Sequence, residues 1–362
     1  MPSNPYENPD FARDYVMGQV DRSKNRYEWE VTHPATLQFL DESVDRVLDY
    51  GCGSGIFTAG ITHVGRNHLN PTLESIGTDA SAEMLRYAEM MGERTEGLTF
   101  RQWDASLESS PLQDNSFSRV FAKLVLNYVS NEDLQNAVMP RLRECLNDEG
   151  LLIAVLPNPL REVGYSTSSY EGKDEINVNV GNFSADSTTA SFRHTYKDMM
   201  VAADSAGFAY ARVLGLPDVR FEPYKKRLMK IAHPMPMVLD TLNAAKRWVY
   251  VFGATEASAE GFDSSVERFE NWRSSQYPEI ADRAHMRVGD DVSNDDVTLP
   301  VGLQHDALYD YIDTSGSRSS IAVLEGRYVE HLNPNQKMKL AKELAKRGLR
   351  EKVSLGNFLV NV

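Results

Sequence analysis

Cysteine is scarce in this chain, with two among 362 residues. Cys52 falls in a glycine-rich turn and Cys145 in a helical pattern, so neither a disulfide framework nor a zinc cluster is indicated; no metal site is expected, and a reducing cytoplasm fits. Positive charge is also in deficit: 38 Lys and Arg stand against 52 Asp and Glu, a formal net charge of −14. Such a chain repels a nucleic-acid backbone unless it carries a local basic patch. A nucleic-acid partner is therefore disfavoured, and a homodimer stays open. No apolar run approaches the roughly 20 residues that span a bilayer, so no membrane partner is expected. The first ten residues lack the basic-then-apolar pattern of a secretory leader.

What remains is an ordinary globular composition, 41% hydrophobic and 25% charged, long enough for one large or two modest domains. Its centre is Val47-Leu48-Asp49-Tyr50-Gly51-Cys52-Gly53-Ser54-Gly55. A short apolar run breaks into three alternating glycines, and Ile56 to Val64 restarts as a helix. Glycines there permit a tight turn and close approach of a ligand to the backbone, and the helix start offers unpaired N–H groups. A dinucleotide fingerprint, G-x-G-x-x-G, would need a third glycine at Ile56, which disfavours a nicotinamide oxidoreductase.

Three more strand ends follow in order. Glu74 to Thr78 runs into Asp79-Ala80, and a carboxylate with two acceptor oxygens suits the vicinal hydroxyls of a ribose. Ser81 is a natural N-cap for the helix that follows. Leu98 to Gln102 leads to Trp103-Asp104-Ala105. Phe117 to Ala122 leads to Lys123-Leu124-Val125-Leu126-Asn127-Tyr128.

Together these stretches, over roughly residues 45 to 155, resemble the class I methyltransferases, which bind S-adenosylmethionine. The resemblance implies a doubly wound, mostly parallel seven-stranded α/β sheet with ligands at the carboxyl ends of the strands. It implies that Gly51, Cys52, Gly53 and Gly55 lie under the amino-acid and ribose part of the cofactor, with Asp49 on its ammonium side. Asp79, with Ala80 beside it, would hold the ribose; Asp104 and the Ala105 backbone would read the adenine; Leu124 would lie near the methionine part. Met84, Trp103 and Leu107 are either purine contacts or core. In this family a helical arm often closes over the site, and Tyr15, Arg26 and Tyr27 are its candidate contacts here, or simply packing residues. Ser118 stands where the family usually has an acid. Lys123, odd at a strand end, is functional or reaches solvent.

The function implied is methyl transfer from S-adenosylmethionine to a small molecule. Asn127 and Tyr128 would orient the acceptor, and His194 is the candidate base, with a structural histidine as the competing reading. A protein or RNA acceptor docked by the C-terminal region, and a non-catalytic S-adenosylmethionine-binding protein, are the alternatives. The chain divides as an N-terminal arm (1–39), a core (40–254) and an appended C-terminal α+β region (255–362). Within it, the spacing predicts a helix over 134–146 stopped at Gly150, a strand over 151–156, a polar substrate-side loop over 161–189, a further helix within 216–241, and a basic helix over 334–347.

Overall fold

The computed structural model describes residues 4–157, 175–179, 188–217, 245–276, 353–355 and 358–360, apart from positions 22–24, 94, 108–111, 113–114, 193 and 195. The expectations for 216–241 and 334–347 lie largely or wholly outside these residues.

The chain opens with helix α1 (Pro9–Val20). Asn8 caps it by accepting from the Asp10 and Phe11 amides, and Pro9 has no N–H to lose there. The short helix α2 (His33–Leu37) completes the arm. Strand β1 (Arg46–Tyr50) leads into α3 (Ile56–His68), β2 (Glu74–Asp79) into α4 (Ala82–Gly92), and β3 (Leu98–Gln102) into β4 (Phe117–Lys123). Then come the one-turn α5 (Asn131–Asp133), α6 (Met139–Cys145), β5 (Leu146–Pro157), a separate antiparallel hairpin of β6 (Glu175–Asn179) and β7 (Thr188–Phe192), α7 (Tyr196–Ser205), β8 (Tyr210–Pro217), β9 (Ala245–Gly253) and α8 (Ala259–Gln276). A last hairpin pairs β10 (Val353–Leu355) with β11 (Phe358–Val360).

Seven strands form one sheet in the order β3-β2-β1-β4-β5-β9-β8. Neighbours from β3 to β5 pair in parallel, and β9 runs antiparallel to both β5 and β8. The order reverses between β1 and β4, and such a switch opens a crevice at the carboxyl ends of those strands.

Alternation along the strands sends side chains to two separate cores. Leu48, Val120, Ala122, Leu152 and Tyr250 pack on one face with Met139 and Leu142 of α6 and Met199 of α7. Val47, Phe121, Ile153, Val155 and Val249 pack on the other with Val31 and Ala35 of the arm, Phe57 and Ile61 of α3, and Phe262, Val266 and Phe269 of α8. Helix α8, from the stretch assigned by sequence to an appended region, thus covers the sheet itself. Asp41 reinforces that packing, 3.3 Å from Arg119 of β4 and 2.7 Å from Arg268 of α8.

Two local expectations change. Gly150 does not stop a helix. The strand begins at Leu146, and the pairing with β4 shifts between Phe117 and Arg119, so that Leu146 and Leu151 are their partners. A Cβ at Gly150 would lie 2.9 Å from the Phe117 carbonyl oxygen, so glycine is required by the close approach. The stretch expected as one loop over 161–189 contains β6 and the start of β7.

Candidate functional site

The crevice is built from turns at the tips of β1, β2, β3 and β4. Gly51, Gly53 and Gly55 all have positive φ, at +72°, +55° and +73°. The Gly51 and Cys52 amides both donate to the Thr78 carbonyl at 2.8 Å, which folds the turn against the end of β2. A Cβ at Gly51 would stand 2.5 Å from Val125 Cβ, and one at Gly55 would stand 2.7 Å from Phe100 Cζ. At Gly53 the only neighbour among the described residues is the Met84 Cε, at 3.4 Å. Of the three, Gly53 is the one with space in front of it.

Asp79 ties the turn to β2. One oxygen accepts from the Gly53 amide at 2.8 Å and the other from the Ser81 amide at 2.9 Å. Burial raises its carboxyl, while those two amides favour the charged form. Asp104 accepts at one oxygen from both the Ser106 amide and hydroxyl. Ala80 gives its carbonyl to Gln102 at 2.9 Å. Leu124, directly after β4, lies in the left-handed region, φ 57°, unusual for a branched residue and a sign of constraint at that tip.

Asp49 lies deeper than the cofactor role implies. It is buried on the α3 face, where the Thr58 hydroxyl donates to it at 2.6 Å. Burial pushes its carboxyl up to about 7. Cys52 is buried with its thiol raised by burial, and serves the turn as a small apolar residue.

The arm covers the crevice. Gln19 of α1 accepts from the Ser54 hydroxyl at 2.6 Å, and its carbonyl accepts from the Trp29 indole at 3.0 Å. Tyr6 meets Phe11 and Tyr15 edge-on at 5.2 and 5.1 Å. Its carbonyl accepts from Ser81, the cap of α4. The Tyr6 hydroxyl reaches that of Tyr128 at 3.1 Å. Burial raises the Tyr6 and Tyr15 hydroxyls well above the usual phenol range, so both are neutral at physiological pH. Tyr15 is packed among the rings of the arm, against Tyr6 and Phe11. Tyr6 is the residue that sequence reasoning missed; only its place two residues before Asn8 could have drawn attention to it.

Several expectations need correction. Arg26 lies at the surface and pairs with Glu30 at 2.6 Å, so the structure does not bring it to the crevice. Tyr27 is buried and donates to the Leu216 carbonyl at 3.2 Å, which makes it an anchor of the arm. Ala105 is fully buried; its carbonyl accepts from Arg141 and its amide faces the Tyr50 hydroxyl, leaving its backbone engaged inside the protein. Trp103 is core, edge-on to Tyr50 at 5.4 Å. Leu107 is 75% exposed.

The base expected at position 194 is a strut. His194 is buried, with Nδ1 2.6 Å from Asn131 Oδ1 and Nε2 2.8 Å from the Leu126 carbonyl oxygen. Both ring nitrogens are engaged by these oxygens, so neither is turned toward a methyl acceptor. The ring instead fixes the turn that carries Asn127, which is buried, and Tyr128, which is 36% exposed.

A family model described as a methyltransferase domain matches residues 47–150, the span from β1 through the start of β5 that builds this crevice. These residues are a class I methyltransferase domain. Its cofactor is S-adenosylmethionine, and the acid–glycine junction of Asp79 and Gly53 fits that group. The chain is 28% identical over 139 residues to a juvenile hormone acid O-methyltransferase of Drosophila melanogaster, covering 36% of this chain and 43% of that protein. It is 29% identical over 126 residues to a malonyl-[acyl-carrier protein] O-methyltransferase of Legionella pneumophila, covering 34% and 40%. The chain thus spans about two fifths of the length of the curated relatives it matches. A solved S-adenosylmethionine-dependent methyltransferase from Mesorhizobium loti superposes with a TM-score of 0.43 and 19% identity, over 62% of this chain and 96% of that one. Among the described residues, no helix is long and apolar enough to cross a membrane.

Proposed function

We propose that this protein transfers a methyl group from S-adenosylmethionine to a small-molecule acceptor. The observation that carries the reading is the junction at Asp79, whose carboxylate holds the Gly53 amide at the one glycine with open space in front of it. An acidic strand tip locked to a glycine turn suits a ligand that presents a ribose to the acid and an amino-acid tail to the turn.

S-adenosylmethionine, when bound, supplies a methyl group on a positively charged sulfur, so that an acceptor lone pair can displace a neutral thioether. Little more than alignment and exclusion of water is asked of the protein. Asp79 would accept from the ribose hydroxyls and Asp104 from the adenine amino group. Gly51 and Gly53 let the backbone approach the tail, and Leu124 shapes the tip of β4 beside it. The tyrosines of the arm, joined to Tyr128, cover the crevice; the acidity of the chain disfavours an RNA acceptor, and the juvenile hormone acid relative favours a small molecule. Both curated relatives are named as O-methyltransferases, which favours oxygen as the atom methylated.

Calorimetry with S-adenosylmethionine, S-adenosylhomocysteine and NAD tests the cofactor, and binding of NAD alone would overturn it. Label transfer from methyl-labelled S-adenosylmethionine into a metabolite extract, compared with protein and RNA fractions, tests the acceptor. Label entering only the macromolecular fractions would favour the docked alternative; binding with no transfer to any fraction would favour a regulatory protein.

A further inference from the structure

A group of charges beside the crevice is not used by the reading above. Lys123 is the last residue of β4, and the sheet register places it level with Gly51, because Asp49 pairs with Phe121. It also pairs with Val155, which pairs with Val249, two residues from Arg247. Alternation puts Lys123 and Arg247 on the same face of the sheet, at the carboxyl ends of the central parallel strands.

Both cations are mostly enclosed, with side chains 14% and 20% exposed. Lys123 Nζ stands 5.4 Å from the Phe57 ring centroid. Between the two cations lies Glu28 of the arm, its side chain 9% exposed: one carboxylate oxygen is 3.6 Å from Lys123 Nζ and the other 3.6 Å from Arg247 Nη2. Both distances exceed those of charge-assisted hydrogen bonds. The Nε of Arg247 is buried and has no hydrogen-bond partner among the described residues, although buried donors are normally satisfied. Two cations thus share one loosely fitting carboxylate. Burial favours the neutral form of the nearby Asp49, and His33 is kept neutral by burial and by Lys123.

We propose that Lys123 and Arg247 anchor a carboxylate group of the acceptor, and that Glu28 occupies this anchor as a built-in stand-in while the arm is closed. The proposal rests on the methyltransferase reading and names its substrate class, a carboxylate-bearing small molecule. The anchor lies level with the glycine turn, so an acceptor held there extends toward the crevice. Phe57 and Val155 beside it favour an acceptor with an apolar body. Entry of the acceptor displaces Glu28 and with it the Tyr27–Glu28 segment.

The test is calorimetry on the full chain saturated with S-adenosylhomocysteine, titrating benzoate, 3-phenylpropionate and decanoate against their amides. Carboxylates are expected to bind at least tenfold more tightly than the matching amides. Glu28→Gln, which keeps the shape and removes the charge, is expected to tighten carboxylate binding about three- to tenfold. Lys123→Gln and Arg247→Gln are expected to abolish it. Equal affinity of acids and amides, or no binding of any acid at millimolar concentration, overturns the proposal with the wild-type chain alone. Glu28→Gln that lowers the melting temperature without gaining affinity overturns it also, and marks the cluster as a structural clasp. S-adenosylhomocysteine binding, measured in the same cell, separates the failures: its loss in the wild type defeats the methyltransferase reading, whereas its retention with no preference for acids defeats only this proposal.

Discussion

The hydroxyls of Tyr6 and Tyr128 meet at 3.1 Å, joining the start of the chain to the turn that follows β4. The two rings are edge-on at 6.1 Å. This bond closes the arm over the crevice, and His194 sets one side of it by holding the Leu126 carbonyl two residues before Tyr128. A neutral hydrogen bond contributes about 0.5–1.5 kcal/mol net. Tyr128→Phe keeps the ring contact and removes the bond, so the dissociation rate of S-adenosylhomocysteine should rise by about two- to tenfold, with the melting temperature little changed. Stopped-flow displacement measures it; an unchanged rate would show that the arm is held by its other contacts.

Gly51 and Gly53 should fail in different ways when a methyl group is added. Gly51→Ala combines a left-handed backbone, costing roughly 1–2 kcal/mol, with an overlap on Val125 that adds about 1–3 kcal/mol. Loss of stability is expected first. Gly53→Ala carries only the backbone strain, because its Cβ would reach nothing but the flexible end of Met84; it should fold and bind S-adenosylhomocysteine at least tenfold more weakly. Thermal denaturation and calorimetry on the pair separate the two. A Gly53→Ala chain with wild-type affinity would remove the glycine turn from the ligand site.

The strand tips were legible in the sequence because each is marked locally: alternating glycines after β1, an acid after β2, an acid before a turn after β3. Their meeting in one crevice follows from parallel pairing in that strand order. The fates of His194 and Arg26 were not legible. A histidine in a polar stretch reads the same whether its ring faces a substrate or Asn131 and a carbonyl 68 residues away. Arg26 sits four residues before Glu30 on a helical turn, and that local partner held it at the surface. Gly150 misled because a glycine after a helical pattern usually ends a helix, whereas here it admits the Phe117 carbonyl. Lys123 stood out as odd at a strand end, but its partners, Glu28 and Arg247, lie 95 residues before and 124 after it.

His194→Ala should cost stability and leave the pH profile of transfer unchanged. It opens a cavity and removes one of two donors to the Leu126 carbonyl, which keeps the Val129 amide at 3.0 Å. A lost hydrogen bond of this kind costs about 0.5–1.5 kcal/mol. His194→Gln, able to reach one of the two partners, should recover part of the loss. Denaturant titration reads the stability, and turnover between pH 6 and 9 reads the chemistry. A pH profile that loses its acid limb only in the variant would return His194 to the role of base.

Asp49 should make the cofactor-free protein less stable as pH rises. Its carboxyl titrates near 7 in the folded chain and near 4 when unfolded. Between those values the native state holds a proton that the unfolded state has released. Stability therefore falls with increasing pH across that window, by up to about 4 kcal/mol from this one group. Asp49→Asn keeps an oxygen for the Thr58 hydroxyl and removes the ionisation, so its melting temperature should gain on the wild type between pH 5 and pH 8. A cation bound beside Asp49, such as the ammonium of the cofactor's amino-acid part, favours the ionised form. Binding of S-adenosylhomocysteine near pH 6 should then release a fraction of a proton, seen as a calorimetric enthalpy that changes with the ionisation heat of the buffer. Asp49→Asn should abolish that dependence. If it persists unchanged in the variant, the released proton comes from another group and Asp49 only ties β1 to α3 through Thr58.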